Sequence, residues 1–267
     1  MSEKEEVVLS RLTWLRTGAI VKVTICRPDV RNAIDRETMS AFETIVTRLE
    51  RIEDVRGVIL TGAGAHAFCA GGDLRDLLNL TTAGDGAAMS GRMHALLHRY
   101  ECLPQLTVSV LNGYAIGGGA ELALASDYVV CEAHGFFAFK QAKMGLITGW
   151  GGARRLLDRV GYSTALDLVT TGRRITAEQA HTIGLATHIA PAGGGLAVAQ
   201  GILDGSDGVS LNALRAVKTL FRRSGATDAQ RRDALEAEMF AQVWGSPEHR
   251  AAVQRFLTDD VSKPVAE

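Results

Sequence analysis

Three observations predict an α/β domain with largely parallel strands. Short β-branched runs alternate with segments of helical spacing as far as about residue 190. Two of these runs end in glycine clusters, Gly71-Gly72 and Gly117-Gly118-Gly119, and each cluster opens onto a helix. From Leu211 to Leu257 the pattern is almost all helical. The change of character near Pro191 divides the chain into a core, residues 1–190, and a helical region, residues 191–267, that belongs to the same functional unit.

Each element has its own signal. Ile20-Val21-Lys22-Val23-Thr24-Ile25 alternates apolar and polar residues, as a half-buried strand does, and Arg27-Pro28-Asp29 turns it. Asp35 is set to cap a helix whose Met39, Phe42, Ile45, Val46 and Leu49 recur on one face. Gly57-Val58-Ile59-Leu60-Thr61 reads as a buried strand, followed by the turn Gly62-Ala63-Gly64. Cys69-Ala70-Gly71-Gly72-Asp73-Leu74 precedes a short helix. Residues 79–90 have loop composition and are expected to be the most mobile segment, ahead of a helix from Met93 to Tyr100. Thr107 to Leu111 is a strand that runs into Gly117-Gly118-Gly119 and a helix from Glu121 to Ala125. Tyr128-Val129-Val130-Cys131 returns to strand. Residues 191–208 are rich in glycine and alanine. Leu211, Leu214, Val217 and Leu220 then share a helical face expected to pack on the domain or on another subunit.

Hydrophobic residues make up 46% of the chain but aromatics only 6%, so Ala, Val, Leu and Ile must fill the core. The 29 glycines require many tight turns and close backbone approaches. A net charge of −1 provides no basic field to attract nucleic acid. The four cysteines, Cys26, Cys69, Cys102 and Cys131, form no C-x-x-C pair, which argues against a zinc ribbon. Met1-Ser2-Glu3-Lys4-Glu5-Glu6 is too polar for a signal peptide, and no apolar run reaches spanning length. The expectation is a soluble cytoplasmic protein, off the membrane, with reduced thiols.

Neither glycine cluster has the spacing of a nucleotide site. No Gly-Lys-Ser/Thr follows, as a P-loop requires, and Gly62-x-Gly64 reaches Ala67 where a Rossmann fingerprint needs its third glycine. The Gly-x-Ser-x-Gly elbow of serine hydrolases is absent. Taken singly, each cluster is a tight turn. Taken together, with Asp73 and Glu121 just downstream, they read as a two-donor oxyanion site. Glu121 sits among Ala, Leu and Gly and is expected to be buried, which raises a carboxyl group toward the range of a general acid or base. Its plainer alternative is a helix N-terminal glutamate favoured by the dipole. His94 and His98 stand four apart, but Ala95 replaces the glutamate of the zinc-protease motif, so two surface histidines are expected and no metal site. Lys140, Lys143, Arg154-Arg155 and Arg173-Arg174 are candidates for a basic rim.

These segments together resemble the crotonase (enoyl-CoA hydratase/isomerase) superfamily. The likeness starts at Arg27-Pro28-Asp29-Val30-Arg31-Asn32-Ala33-Ile34-Asp35 and continues through Ala67-Phe68-Cys69-Ala70-Gly71-Gly72-Asp73-Leu74 and the run from Leu111 to Leu122. It extends to Gly172-Arg173-Arg174-Ile175-Thr176-Ala177-Glu178-Gln179-Ala180 and to Ser246-Pro247-Glu248-His249-Arg250-Ala251-Ala252-Val253. The resemblance implies a spiral of ββα units with a helical C-terminal region that forms trimers or dimers of trimers. It implies an acyl-CoA thioester substrate, as in fatty acid metabolism, with coenzyme A present only as part of that substrate and no further cofactor. The backbone N–H groups of Gly72 and Gly118 would hold the thioester oxygen and stabilise an enolate, with Glu121 as acid or base. Arg31, Ala33, Ala70, Asp73 and Leu74 would line the substrate and coenzyme A cleft, Arg31 toward the phosphates. Phe256 resembles the position that reaches a neighbouring subunit's ligand, and Leu257-Thr258-Asp259-Asp260 follows it in place of the usual lysine.

Position 141 separates the possible reactions. Hydratases of the family hold a water between two glutamates; Glu121 matches the first, and Gln141 stands where the second is found. An amide does not exchange a proton as a carboxylate does, though it can orient water or a substrate group. Ile147-Thr148-Gly149-Trp150-Gly151-Gly152 replaces the usual Ile-Pro-Gly-x-Gly-Gly. The combination of Gly-Gly-Gly-Ala-Glu-Leu with Met-Gly-x-Ile-x-x-Trp-Gly-Gly is similar to the ethylmalonyl-CoA decarboxylase branch, with Trp150 either at the substrate or a packing residue. Three readings stay open. The first is an acyl-CoA lyase, either a hydratase with an altered second site or a malonyl-type decarboxylase. The second is an isomerase that uses Glu121 alone, and the third a non-catalytic acyl-CoA-binding protein.

Overall fold

The chain enters as an antiparallel meander of β1 (Lys4–Leu9), β2 (Leu12–Thr17) and β3 (Ile20–Ile25). The structure is a computed structural model that describes residues 4–223 and 226–261. Met1 to Glu3 of the polar N-terminus and residues 262–267 of the helical region lie outside the described residues. Of the three strands only β3 has a clear sequence pattern. β1 is a charged edge, Lys-Glu-Glu-Val-Val-Leu, whose charges discourage pairing with another chain. α1 (Arg36–Arg51) starts where Asp35 accepts the Thr38 N–H at 2.7 Å, a cap that contributes about 1 kcal/mol. Its Met39, Phe42, Ile45, Val46 and Leu49 are all buried, as their spacing predicts.

A repeated βα unit then builds two sheets at once. β4 (Gly57–Gly62) joins β3 in a large sheet, and β5 (Ala67–Cys69) starts a small one. Two helices follow, α2 (Leu74–Leu77) and α3 (Ala83–Glu101). β6 (Leu106–Leu111) and β7 (Tyr114–Ile116) repeat the division and lead into α4 (Gly118–Leu124). β8 (Tyr128–Glu132) and β9 (Phe136–Ala138) repeat it again. After α5 (Gly152–Val160) and α6 (Tyr162–Thr171), β10 (Ile175–Thr176) closes the small sheet. Past α7 (Ala177–Thr182), β11 (His188–Ala190) closes the large one. Pairing is parallel from β3 through β11 in the large sheet and among β5, β7 and β9 in the small one, so the α/β class with largely parallel strands holds.

α8 (Gly195–Asp204) covers the second face of the large sheet through Ala199 and Leu203, which explains why β4 is buried along its whole length. The last helices are α9 (Leu211–Arg223), α10 (Ala226–Val243) and α11 (Pro247–Val261). α9 is held by charge: Lys218 and Arg222 each reach Asp127 at 2.7 Å. Its apolar face points away from the chain's own core, with Val217 53% and Leu220 62% exposed. Among the described residues no helix is long and apolar enough to cross a membrane.

Three expectations are corrected. Residues 83–90 are not loop but the first turns of α3. Thr82 and Asp85 form a reciprocal capping box, and Gly86 leaves room for Trp244, whose Cγ would lie 2.2 Å from a Cβ there. His94 is not a surface residue: α10 covers it, and its Nε2 pairs with Asp233 at 3.1 Å, while His98 is exposed. Arg154 and Arg155 form no rim either. Both are buried on Glu101, at 2.5 and 2.9 Å, where they tie α5 to α3.

Candidate active site

Two glycine turns emerge side by side from the small sheet. β5 and β7 are parallel neighbours, so Gly71-Gly72 and Gly117-Gly118 leave at the same edge. Gly71 and Gly117 have φ of +99° and +55°, a conformation that favours glycine. A bridge to Ile34 uses the Gly71 carbonyl and the Asp73 N–H, each at 2.8 Å, which turns the Gly72 N–H to the opposite side. Gly118 is the first residue of α4, where an N–H has no partner within its helix. Both glycines line one cavity of about 570 Å³. The Trp150 indole lies over them: a Cβ at Gly118 would come 2.5 Å from its Cζ3, and one at Gly72 3.7 Å from its Cζ2.

Glu121 follows Gly118 by one turn of α4 and also faces this cavity. Its Oε1 accepts the Gln141 Nε2 at 2.7 Å, from the 3₁₀ turn Gln141–Met144. Its Oε2 accepts the backbone N–H groups of Trp150 at 2.7 Å and Gly152 at 2.9 Å, at the start of α5. Burial, and then the charge of Glu236, push Glu121 up to about 7 against the pull of these hydrogen bonds. The Gln141 amide leaves its own Oε1 buried without a partner. A carboxyl group that gains and loses its proton near neutrality, one turn from two free N–H groups, can exchange a proton with a bound carbon acid.

Arg31, Ala33, Ala70, Asp73, Leu74 and Phe256 line the same cavity, as do Gln141 and Trp150. The Asp73 carboxylate is also engaged within the fold: it accepts from Arg27 at 2.8 Å and caps the Arg75 N–H of α2. Arg27 also reaches Asp35 at 2.9 Å, so this one side chain fixes the turn of residues 27–35 against the Gly72 loop. Phe256 of α11 faces the cavity of its own chain. Lys140 and Lys143 lie on the cavity; Arg173 does not, being engaged with Asp167 at 2.9 Å. Sequence reasoning missed Met89, Phe240 and Trp244 of the apolar wall, and Glu236 beside Glu121. Only the four-residue spacing of the aromatics Phe240 and Trp244 signalled any of them. Among the described residues no His, Cys, Asp and Glu side chains cluster as a metal site would.

The chain has relatives among known proteins in sequence and in fold. A family model described as enoyl-CoA hydratase/isomerase matches residues 16–260. An ethylmalonyl-CoA decarboxylase of Xenopus laevis is 34% identical over 232 residues, 85% of this chain and 76% of that protein. A short-chain-enoyl-CoA hydratase of Clostridium acetobutylicum is 27% identical over 249 residues, 93% of this chain and 95% of that protein. The crystal structure of an enoyl-CoA hydratase/isomerase from Pseudoalteromonas atlantica superposes with a TM-score of 0.83 at 26% identity, over 94% of this chain and 98% of that one. Matched in sequence and fold over nearly its whole length, the chain belongs to the enoyl-CoA hydratase/isomerase family of the crotonase superfamily.

Proposed function

We propose that the protein is an acyl-CoA lyase that holds a thioester enolate on the Gly72 and Gly118 N–H groups and protonates it from Glu121, and that it decarboxylates a malonyl-type thioester. The observation that carries this reading is the partner of the acid. Glu121 faces the Gln141 amide at 2.7 Å, where a water-activating hydratase of this family has a second carboxylate. An amide opposite the acid tolerates a substrate carboxylate, which a second glutamate would repel.

In the step that follows, the bond between the α-carbon and the substrate carboxylate breaks and carbon dioxide leaves. The electron pair forms the enolate, and its charge falls on the thioester oxygen between the two N–H groups. Each such donor contributes about 2.7–4 kcal/mol to lowering a barrier of this kind. The α-carbon then takes the proton of Glu121, whose position near 7 leaves a large share of it protonated at neutral pH. Water restores that proton. The Trp150 indole, laid over both glycines, shields the enolate from solvent. Coenzyme A lies along residues 27–33 and Ala70, with Arg31 toward its phosphates and Lys140 and Lys143 as further cations on the same cavity.

Hydration is the second reading. It is favoured by the hydratase relative that matches 93% of this chain, and Gln141 would then orient the water that Glu121 deprotonates. Incubation with methylmalonyl-CoA, ethylmalonyl-CoA and crotonyl-CoA, followed by mass spectrometry, separates the two. Loss of carbon dioxide is expected. Gain of water on crotonyl-CoA alone would replace decarboxylation by hydration, a product of unchanged mass with a moved double bond would mark an isomerase, and an inert but tightly bound thioester would leave a binding protein. Self-association belongs to the same proposal: the exposed Val217, Leu220 and Phe221 face of α9 supports a subunit interface, and sedimentation is expected to give a trimer or a dimer of trimers.

A further inference from the structure

The acid of this site has a carboxylate neighbour, contributed by a helix 115 residues further along the chain. Glu236, on α10, is 5% exposed. Its Oε1 accepts the N–H groups of Gly151 and Gly152, each at 3.1 Å, and its Oε2 accepts that of Ala153 at 3.0 Å. The Gly152 N–H is shared, since it also donates to Glu121 Oε2 at 2.9 Å. Two buried carboxylates therefore converge on one N–H at the start of α5, and like charges so close cannot both ionise.

The neighbours decide which of the two keeps the proton. Burial pushes Glu236 up as it does Glu121, but on the Glu236 side the Thr148 hydroxyl, the Ala153 N–H, His94 of α3 and Arg155 of α5 all pull it back toward its charged form. Behind them Asp233 binds His94 Nε2 at 3.1 Å and Arg154 at 2.9 Å, and Glu101 binds both arginines. Glu121 is held instead by the Gln141 amide and the backbone N–H groups of Gly149, Trp150 and Gly152, none of them a cation. A protonated Glu121 needs an acceptor for its O–H, and the Gln141 Oε1 is buried beside it without a partner. Turning the Gln141 amide over brings that oxygen to the O–H.

We propose that Glu236 is a positioning residue for proton delivery: seated on the helix start it shares with Glu121, it takes the negative charge of the pair and leaves the proton on Glu121, facing the cavity. The proposal rests on the reading of Glu121 as proton donor. It goes further in assigning the second carboxylate of the site to α10 instead of to position 141.

The test is a carboxyl titration by carbon NMR of protein labelled at glutamate, with Glu121→Gln and Glu236→Gln used to assign the two signals, beside pH profiles of turnover. In the unaltered protein both carboxyl signals are expected to respond to one titration near neutrality. In Glu236→Gln the Glu121 signal is expected to titrate at least one pH unit lower, a tenfold or greater loss of proton affinity. Its turnover at pH 7 should fall about tenfold and recover toward lower pH. A Glu121 signal that does not move, or turnover reduced equally at every pH, would overturn the proposal. Where Glu236→Gln does not fold, the unaltered protein still decides: a Glu121 titration near neutrality that leaves the Glu236 signal still would overturn it. The proton-donor reading fails separately, if Glu121→Gln turns over at the normal rate.

Discussion

Glu101 and Glu121 are almost equally buried, 3% and 2% exposed, and α5 touches both, yet they are opposite chemical objects. Burial alone would raise both. At Glu101 the charges of Arg155, Arg222 and Arg154 outweigh burial and pull the group down to about 2. At Glu121 burial is joined by the like charge of Glu236, and the group rises to about 7. The counter-charge, and not the depth, decides whether a buried carboxylate is a fixed anion or a proton carrier. Glu101 fastens α3, α5 and α9 together; Glu121, one side of α5 away, is left with amides and free to exchange.

The comparison breaks most visibly at Glu121. Glu121→Gln should cut turnover about 10²–10⁴-fold, the usual contribution of a positioned acid, while thermal melting stays close to that of the unaltered protein. Glu101→Gln should do the reverse. It leaves Arg154, Arg155 and Arg222 with less charge than they need and should cost about 3–5 kcal/mol of stability in a denaturant titration. Turnover per folded molecule should remain within a few-fold. Gln141→Glu sharpens the acid side: a carboxylate in hydrogen-bond contact with Glu121 should lower decarboxylation about tenfold and introduce measurable hydration of crotonyl-CoA. If decarboxylation is unaffected, the amide has no part in admitting the substrate carboxylate.

The two glutamates also predict opposite pH slopes. Glu121 binds its proton more tightly when folded than at the ordinary 4.5, so stability falls as pH rises from about 4.5 to about 7. Turnover that uses the protonated form falls through the same upper limit. Glu101 releases its proton more readily when folded, so its contribution is complete above about 4.5 and is lost as pH falls toward about 2. Melting temperature measured across pH in Glu121→Gln and Glu101→Gln should flatten one slope each. The smallest effect lies outside both networks of α5. Asp35→Ala removes the cap of α1 together with a partner of Arg27, and about 1 kcal/mol of stability should go with the cap alone.

Much of this was legible in the sequence, and the limits are physical. Gly72, Gly118 and Glu121 stand out because a turn with positive φ and a helix start are local events written in adjacent residues. Met39, Phe42 and Leu49 were legible for the same reason, through periodicity. The first turns of α3 were not, because Thr81-Thr82-Ala83-Gly84-Asp85-Gly86 has the composition of a loop. The room that Gly86 makes for Trp244 is visible only once α10 lies across α3. His94 and the Arg154-Arg155 pair have the composition of a surface and were turned inward by partners far along the chain.

By itself, then, the sequence determined the alternation of the principal strands and helices, the two glycine turns and the acid that follows the second. Its likeness to a family supplied the spiral and the thioester. Only the tertiary structure decided that the Trp150 indole covers both glycines, that Asp73 serves Arg27 and the cap of α2, and that Glu236 shares an N–H with Glu121. Local pattern fixes backbone conformation because its energy lies within a few residues. Proton affinity is fixed by charges and burial summed over space, and those are assembled here from α3, α4, α5 and α10 only when the chain has folded.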